Sequence, residues 1–236
     1  MAHKRRLGYR YETDDPDMFR EDVEEVYRKA VTIPVDVEIE GEHRVLSYDT
    51  VKEILVNASR ISLMDCICRT KRPNCDKPLR TCIGVNGKAD KILSEKNDDS
   101  GKFTKYNPKE IGIKEALSVL EMSHEAGLVH MALTQNKDVK PEDIDYVCSC
   151  CTCCCSVLGG TIRYGFAPHL LNSTKISVTD EQACNDCGIC VERCQFGARE
   201  IVEGSLTFNP ELCFGCGLCV STCPTNAIKL VDKQTN

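Results

Sequence analysis

The chain has 236 residues, a net charge of −6 and 18 cysteines, and it is long enough to bury one large core or two smaller ones. Its acidic balance argues against a general nucleic-acid binder, which carries a basic face, and no apolar run reaches the roughly 18 residues of a membrane span. The basic start Met1-Ala2-His3-Lys4-Arg5-Arg6 leads into polar sequence rather than an apolar signal core, so a cytoplasmic location is expected, where so many thiols are metal ligands rather than disulfides.

Asp15-Pro16 ahead of Met18, Phe19, Val23, Val26 and Tyr27 reads as a capped amphipathic helix. Val35, Val37 and Ile39 alternate with charged residues up to Gly41, the pattern of a half-buried strand. A second helix is expected over Ser47 to Ala58, with Val51, Ile54, Leu55 and Ala58 on its apolar face. It leads to Cys66, Cys68, Cys75 and Cys82, spaced C-x-C-x6-C-x6-C. Arg69, Lys71 and Arg72 follow directly, and they read equally well as charges that offset thiolates or as a solvated loop; Arg69, next to Cys68, favours the first.

The polar stretch Glu95 to Pro108 reads as a loop. A third helix is expected over Ile113 to Ala126, with Ala116, Leu117, Leu120 and Ser123 inward and Gly127 closing it. Leu128 to Leu133 follows as a strand. His124 and His130 lie in this region and read as packing or capping residues rather than ligands.

A charged approach, Pro141 to Tyr146, opens the run Cys148, Cys150, Cys151, Cys153, Cys154 and Cys155, spaced C-x-C-C-x-C-C-C. Adjacent cysteines have Cα atoms about 3.8 Å apart, below the usual disulfide range of about 4.4–6.8 Å, which again favours metal. If the run is extended, Cys148, Cys150 and Cys154 face one side and Cys151, Cys153 and Cys155 the other, so one segment feeds two centres or grips a larger one. That parity fails if the run is coiled. Gly159-Gly160 reads as turn and surface, and the chain through Asn172 as irregular or weakly helical.

Beyond a boundary near Lys175, Cys184, Cys187, Cys190 and Cys194 precede Cys213, Cys216, Cys219 and Cys223, two copies of C-x2-C-x2-C-x3-C. This is the spacing of a bacterial two-cluster ferredoxin, in which the last cysteine of each motif serves the other cluster. Cys184, Cys187, Cys190 and Cys223 are thereby expected on one 4Fe–4S cluster, and Cys213, Cys216, Cys219 and Cys194 on the other. The repeat continues past the thiols, Phe196 to Val202 standing where Thr225 to Val231 stand in the second copy. Gly188 and Gly217 suit a backbone of positive φ wrapped on a cluster. One departure is Gln195, in the place that Pro224 takes in the second copy.

Taken together, Leu63-Met64-Asp65-Cys66-Ile67-Cys68-Arg69, Cys75-Asp76-Lys77-Pro78, Cys82, Glu115-Ala116-Leu117, Glu125 to His130, the Cys148 to Cys155 run and the two ferredoxin motifs resemble a family of anaerobe iron–sulfur proteins described as 4Fe–4S dicluster-domain or ferredoxin-like proteins. The resemblance spans the chain from about Ser47 onward. It implies a cytosolic electron carrier of anaerobic metabolism and leaves open which clusters the ten N-terminal cysteines hold. No G-x-G-x-x-G after a strand, phosphate loop or G-x-S-x-G elbow competes.

The expected architecture is α+β: an extension over 1–46, a cysteine-rich α/β domain over 47–175 and a dicluster ferredoxin domain over 176–236. The leading reading is an electron-transfer protein with two ferredoxin 4Fe–4S clusters and one or two further iron–sulfur clusters, serving a redox partner protein such as a flavoprotein or larger oxidoreductase complex. Three others stay open: a reductase subunit with an unusual catalytic cluster on the N-terminal cysteines, a cluster scaffold or maturation factor, and a zinc-stabilised interaction domain.

Overall fold

The computed structural model describes residues 29–33, 54–95, 101–134, 144–164, 170–171, 173 and 175–233. The helix read after Pro16, the strand read at Val35 to Ile39 and the start of the helix read from Ser47 lie outside the described residues; residues 54–57 are helical, with Ile54 and Leu55 buried.

Seven strands form one sheet: β1 (Lys29–Ile33), β2 (Ile61–Met64), β3 (Cys82–Val85), β4 (Lys109–Glu110), β5 (Val129–Thr134), β6 (Tyr146–Cys150) and β7 (Leu170–Leu171), in the order β4-β2-β3-β6-β5-β1-β7. Every ladder is antiparallel except β1 with β7. Because side chains alternate along a strand, the sheet has two apolar faces. On one, Leu63, Ile83, Val85, Ala132 and Val147 pack with Ala116, Val119 and Leu120. On the other, Met64, Cys82, Met131, Leu133, Tyr146 and Cys150 form a second cluster. The cysteines of β3 and β6 therefore share one side of the sheet.

Helix α1 (Ile67–Lys71) follows Cys66, and α2 (Asn86–Ser94) follows β3 directly. Helix α3 (Ile113–Glu125) buries Ala116, Val119, Leu120 and Ser123, so Val119 takes the inner place expected of Leu117, which is only partly buried. Its end is a Schellman cap: Leu128 N–H donates to Ser123 O at 3.0 Å, Gly127 N–H to His124 O at 2.8 Å, and Gly127 has φ +75°. The stretch expected as a plain loop before α3 is anchored by a 3-10 turn, Thr104–Tyr106, in which Tyr106 is buried together with Phe103 just before it. Gly159-Gly160 is likewise no surface turn: both residues are buried in α4 (Ser156–Tyr164). That helix forms despite its glycines because Val157 and Leu158 pack into the cysteine face, and tertiary packing overrides propensity.

From Lys175 the strands belong to other sheets. β8 (Lys175–Thr179) pairs with β11 (Ile228–Asp232), and β9 (Arg199–Val202) with β10 (Ser205–Phe208), all antiparallel. Two short helices, α5 (Ile189–Arg193) and α6 (Leu218–Ser221), each start after a glycine of positive φ, Gly188 at +75° and Gly217 at +78°. Helices and strands are thus mixed as α+β, and among the described residues no helix is long and apolar enough to cross a membrane.

Candidate metal centres

The eighteen cysteines fall into four groups. Cys184, Cys187, Cys190 and Cys223 line one cavity of about 290 Å³ with Asp186, Gly188 and Pro224. Cys194, Cys213, Cys216 and Cys219 line a second, of about 330 Å³, with Ser177, Phe196, Arg199 and Phe214. Each cavity thus meets three thiols of one motif and the last thiol of the other. The donor set, four thiols around a cavity, is the one a 4Fe–4S cluster takes.

These two cavities differ in exposure and charge. Cys187 is exposed, whereas burial pushes Cys219 up to about 11 and Cys216 higher than an ordinary thiol. Arg199 is buried, donates to Thr179 Oγ1 at 2.7 Å and Ser177 Oγ at 2.9 Å, and its charge acts on both Cys190 and Cys219. It therefore stands between the two thiol sets. Ser177 Oγ also lies 3.6 Å from Cys213 Sγ.

A third cavity, of about 410 Å³, lies against the cysteine face of the seven-stranded sheet and is lined by Cys66, Cys68, Cys82, Cys148, Cys150 and Cys155. Local structure explains the convergence. Cys148 and Cys150 point the same way from β6, Cys82 opens β3 beside it, Cys66 and Cys68 flank the start of α1, and Cys155 precedes α4. All six thiols line this one cavity, and Cys68 Sγ lies 3.4 Å from Ser156 Oγ at the start of α4. Hydrogen bonds from Cys155 and Cys66 hold Cys68 well below the ordinary thiol range, while contact with Cys68 raises Cys66 and contact with Cys150 raises Cys155. So many thiols cannot all ionise side by side unless cationic metal compensates them.

The fourth group is Cys75, Cys151, Cys153 and Cys154, whose sulfurs all lie within 4.8 Å of one another. The ten N-terminal cysteines thus divide six and four, and the parity expected of the Cys148 run holds only in part. β6 stops at Cys150, and residues 152–154 turn. In consequence Cys155, not Cys154, joins Cys148 and Cys150, and Cys154 joins Cys151 and Cys153.

Buried polar side chains hold this turn. Arg72, fully buried, donates Nε to Cys154 O at 3.0 Å and contacts Ser156 Oγ; Asn74 Nδ2 donates to Cys153 O at 3.0 Å, and Arg163 to the same carbonyl at 3.2 Å. Arg69, 3% exposed, donates to Ser149 O at 3.1 Å and lies 3.8 Å from Cys151 Sγ. Burial works against its charge, and the thiols of Cys66, Cys151 and Cys150 more than offset that. Both arginines are therefore buried in the site rather than in a solvated loop, Arg69 against a thiol and Arg72 against the backbone of the turn, while Lys71 is exposed.

Gln195 links the two halves of the chain. It is buried, accepts from Thr152 N–H at 2.8 Å through Oε1, and donates through Nε2 to Gly127 O and, at 3.4 Å, to Cys150 O. Only its departure from the proline of the second motif hinted at this role, and nothing in the spacing indicated Asn74 or Arg163. His130 faces away from the cavity, with Nδ1 3.1 Å from Ser149 Oγ and its ring stacked on His124 at 6.0 Å. Burial lowers its pKa to about 3.

No curated protein matches the chain. The family model described as 4Fe-4S binding domain matches twice, at residues 177–200 and 206–229. The segment that holds the first two cavities is therefore a ferredoxin-type iron–sulfur domain.

Proposed function

We propose that the protein relays single electrons between a partner oxidoreductase and a third iron–sulfur site built on Cys66, Cys68, Cys82, Cys148, Cys150 and Cys155. Bound at the two ferredoxin-type thiol sets, 4Fe–4S clusters supply one-electron chemistry at potentials tuned by charge, hydrogen bonds and burial. The chain's own residues set those terms. Arg199 offsets thiolate charge at both sets, and the stacked Phe196 and Phe214, 4.5 Å apart, exclude water from the inner one.

One observation carries the reading: the inner ferredoxin-type cavity abuts the six-thiol cavity. Phe196, Leu218, Cys194, Phe214 and Cys216 belong to the same apolar cluster as Cys82, Cys150 and Cys155. Gln195, bonded to Cys194 in the chain, reaches Cys150 O, giving a route of covalent and hydrogen bonds between the two thiol sets. The exposed Cys187 puts the other ferredoxin-type cavity at the surface, where a partner docks. A net charge of −6 suits a basic face on that partner, a flavoprotein or larger oxidoreductase, with association weakened by salt.

A reductase subunit is the second reading, favoured by the thiol count: six line a cavity where a cubane needs four, which leaves two to exchange with a substrate. A scaffold that hands metal on would need accessible thiols, and Cys82, Cys150 and Cys155 are buried.

Freeze-quench EPR tests the relay. Anaerobic protein is mixed with a reduced low-potential flavoprotein, and the signal of the third site is followed in wild type and Cys216→Ser. The relay predicts reduction slowed manyfold in the variant. Equal rates would mean that electrons reach the third site without the ferredoxin-type segment, and would overturn it.

A further inference from the structure

Cys75, Cys151, Cys153 and Cys154 differ in kind from the other three groups. Three of their separations are 3.6 Å for Cys75 to Cys154, 3.9 Å for Cys75 to Cys151 and 3.5 Å for Cys153 to Cys154. Four thiolates placed tetrahedrally at about 2.3 Å from one ion stand about 3.8 Å apart. A four-iron cluster gives each thiolate its own iron and so holds the sulfurs farther apart. The ferredoxin-type cysteines provide the comparison within the same chain. They ring cavities of about 290 and 330 Å³, and among the described residues only the Cys75 group brings three or more such ligand atoms all within 4.8 Å of one another.

The local chain is built for such a site. Cys155 N–H donates to Cys151 O at 3.1 Å, closing a turn from which Cys151, Cys153 and Cys154 all project inward. Arg72, Asn74 and Arg163 take up the carbonyls of Cys153 and Cys154, so the backbone of the turn is held before any metal binds. Cys75 arrives from the loop after α1, 76 residues away from Cys151 in sequence. Cys151, Cys153 and Cys154 are buried. Four thiolates in this space need a cation at their centre, and a divalent ion leaves a residual negative charge that Arg69 faces.

We propose that Cys75, Cys151, Cys153 and Cys154 hold one zinc-class divalent ion as a mononuclear tetrathiolate site, distinct from the iron–sulfur centres. All four positions are protein thiols, the closed set of a structural rather than a catalytic zinc. The ion fastens the loop after α1 to the turn and thereby places Cys150 and Cys155, at either end of that turn, in the wall of the six-thiol cavity. This site does not depend on the relay proposed above.

The test is zinc, iron and acid-labile sulfide per chain in full-length protein purified anaerobically, wild type against Cys75→Ala, together with zinc-edge X-ray absorption on the wild type. The expected result is about one zinc per chain with a shell of four sulfurs near 2.3 Å and no metal neighbour. Cys75→Ala should lose most of that zinc and keep the iron and sulfide of the ferredoxin-type segment. Loss of iron and sulfide together in the variant, with zinc unchanged, would make the group a cluster site and overturn the proposal. Iron at the site without sulfide would overturn the choice of zinc. The absorption measurement needs no variant, so a misfolded Cys75→Ala leaves the test intact.

Discussion

Replacing Gln195 by proline would give the first ferredoxin motif the form of the second, in which Pro224 follows Cys223. In a ferredoxin standing alone this change would be harmless or stabilising. Here it removes the acceptor for Thr152 N–H and the donor to Gly127 O, both buried. A buried polar group left without its partner costs about 1–3 kcal/mol, so the two together cost about 2–6 kcal/mol. For a chain of this size each kcal/mol lowers the melting temperature by about 2–4 °C, so a fall of at least about 4 °C is expected. Gln195→Ala, which loses the same bonds without constraining the backbone, should fall comparably. The assay is anaerobic thermal unfolding by far-UV circular dichroism, with iron measured alongside, since Gln195 is no ligand and the ferredoxin-type iron should stay. If both variants melt within 1 °C of wild type, Gln195 does not join the two parts of the chain.

Arg199→Gln should lower the potentials of both ferredoxin-type centres. The cation acts on a thiol of each set and its loss disfavours the added electron; potentiometric EPR should show a shift of roughly tens of millivolts, with Arg199→Lys close to wild type, and unchanged potentials in the Gln variant would remove Arg199 from this role. His130 is held neutral, its pKa lowered from 6.5 to about 3 by burial and by His124. Between those values the unfolded chain binds the extra proton, so His130 leaves stability intact above pH 6.5 and erodes it as the pH falls towards 3. From pH 7 to pH 5 the loss is roughly 2 kcal/mol; urea titrations should show wild type losing that much more than His130→Gln, and parallel losses would contradict the assignment.

What could be read from the residues depended on how local the determining physics was. The doubled C-x2-C-x2-C-x3-C carries its own geometry, because three thiols at close spacing leave a fourth to come from elsewhere in the repeat. Helix α3 was legible for the same reason, its apolar period and Gly127 both lying within one short segment, although Val119 rather than Leu117 faces the core. The six-and-four division was not legible. Parity assumes an extended chain, and the chain leaves β6 at Cys150 because Arg72, Asn74, Arg163 and Gln195, none of them adjacent to the run, take up the backbone polar groups of the turn. β2 and β3 are four-residue strands buried on both faces, with none of the alternation that marks a strand. Gly159 and Gly160 signalled a turn, and burial of their neighbours Val157 and Leu158 made them helical.

The central claim is that the six-thiol cavity is a third iron–sulfur site while the Cys75 group is not a cluster. Iron, zinc and acid-labile sulfide per chain, measured on anaerobically purified protein, address it most directly. The account predicts about twelve irons with matching sulfide, if the third site is a four-iron cluster, beside about one zinc. About eight irons, the content of the ferredoxin-type segment alone, would contradict it.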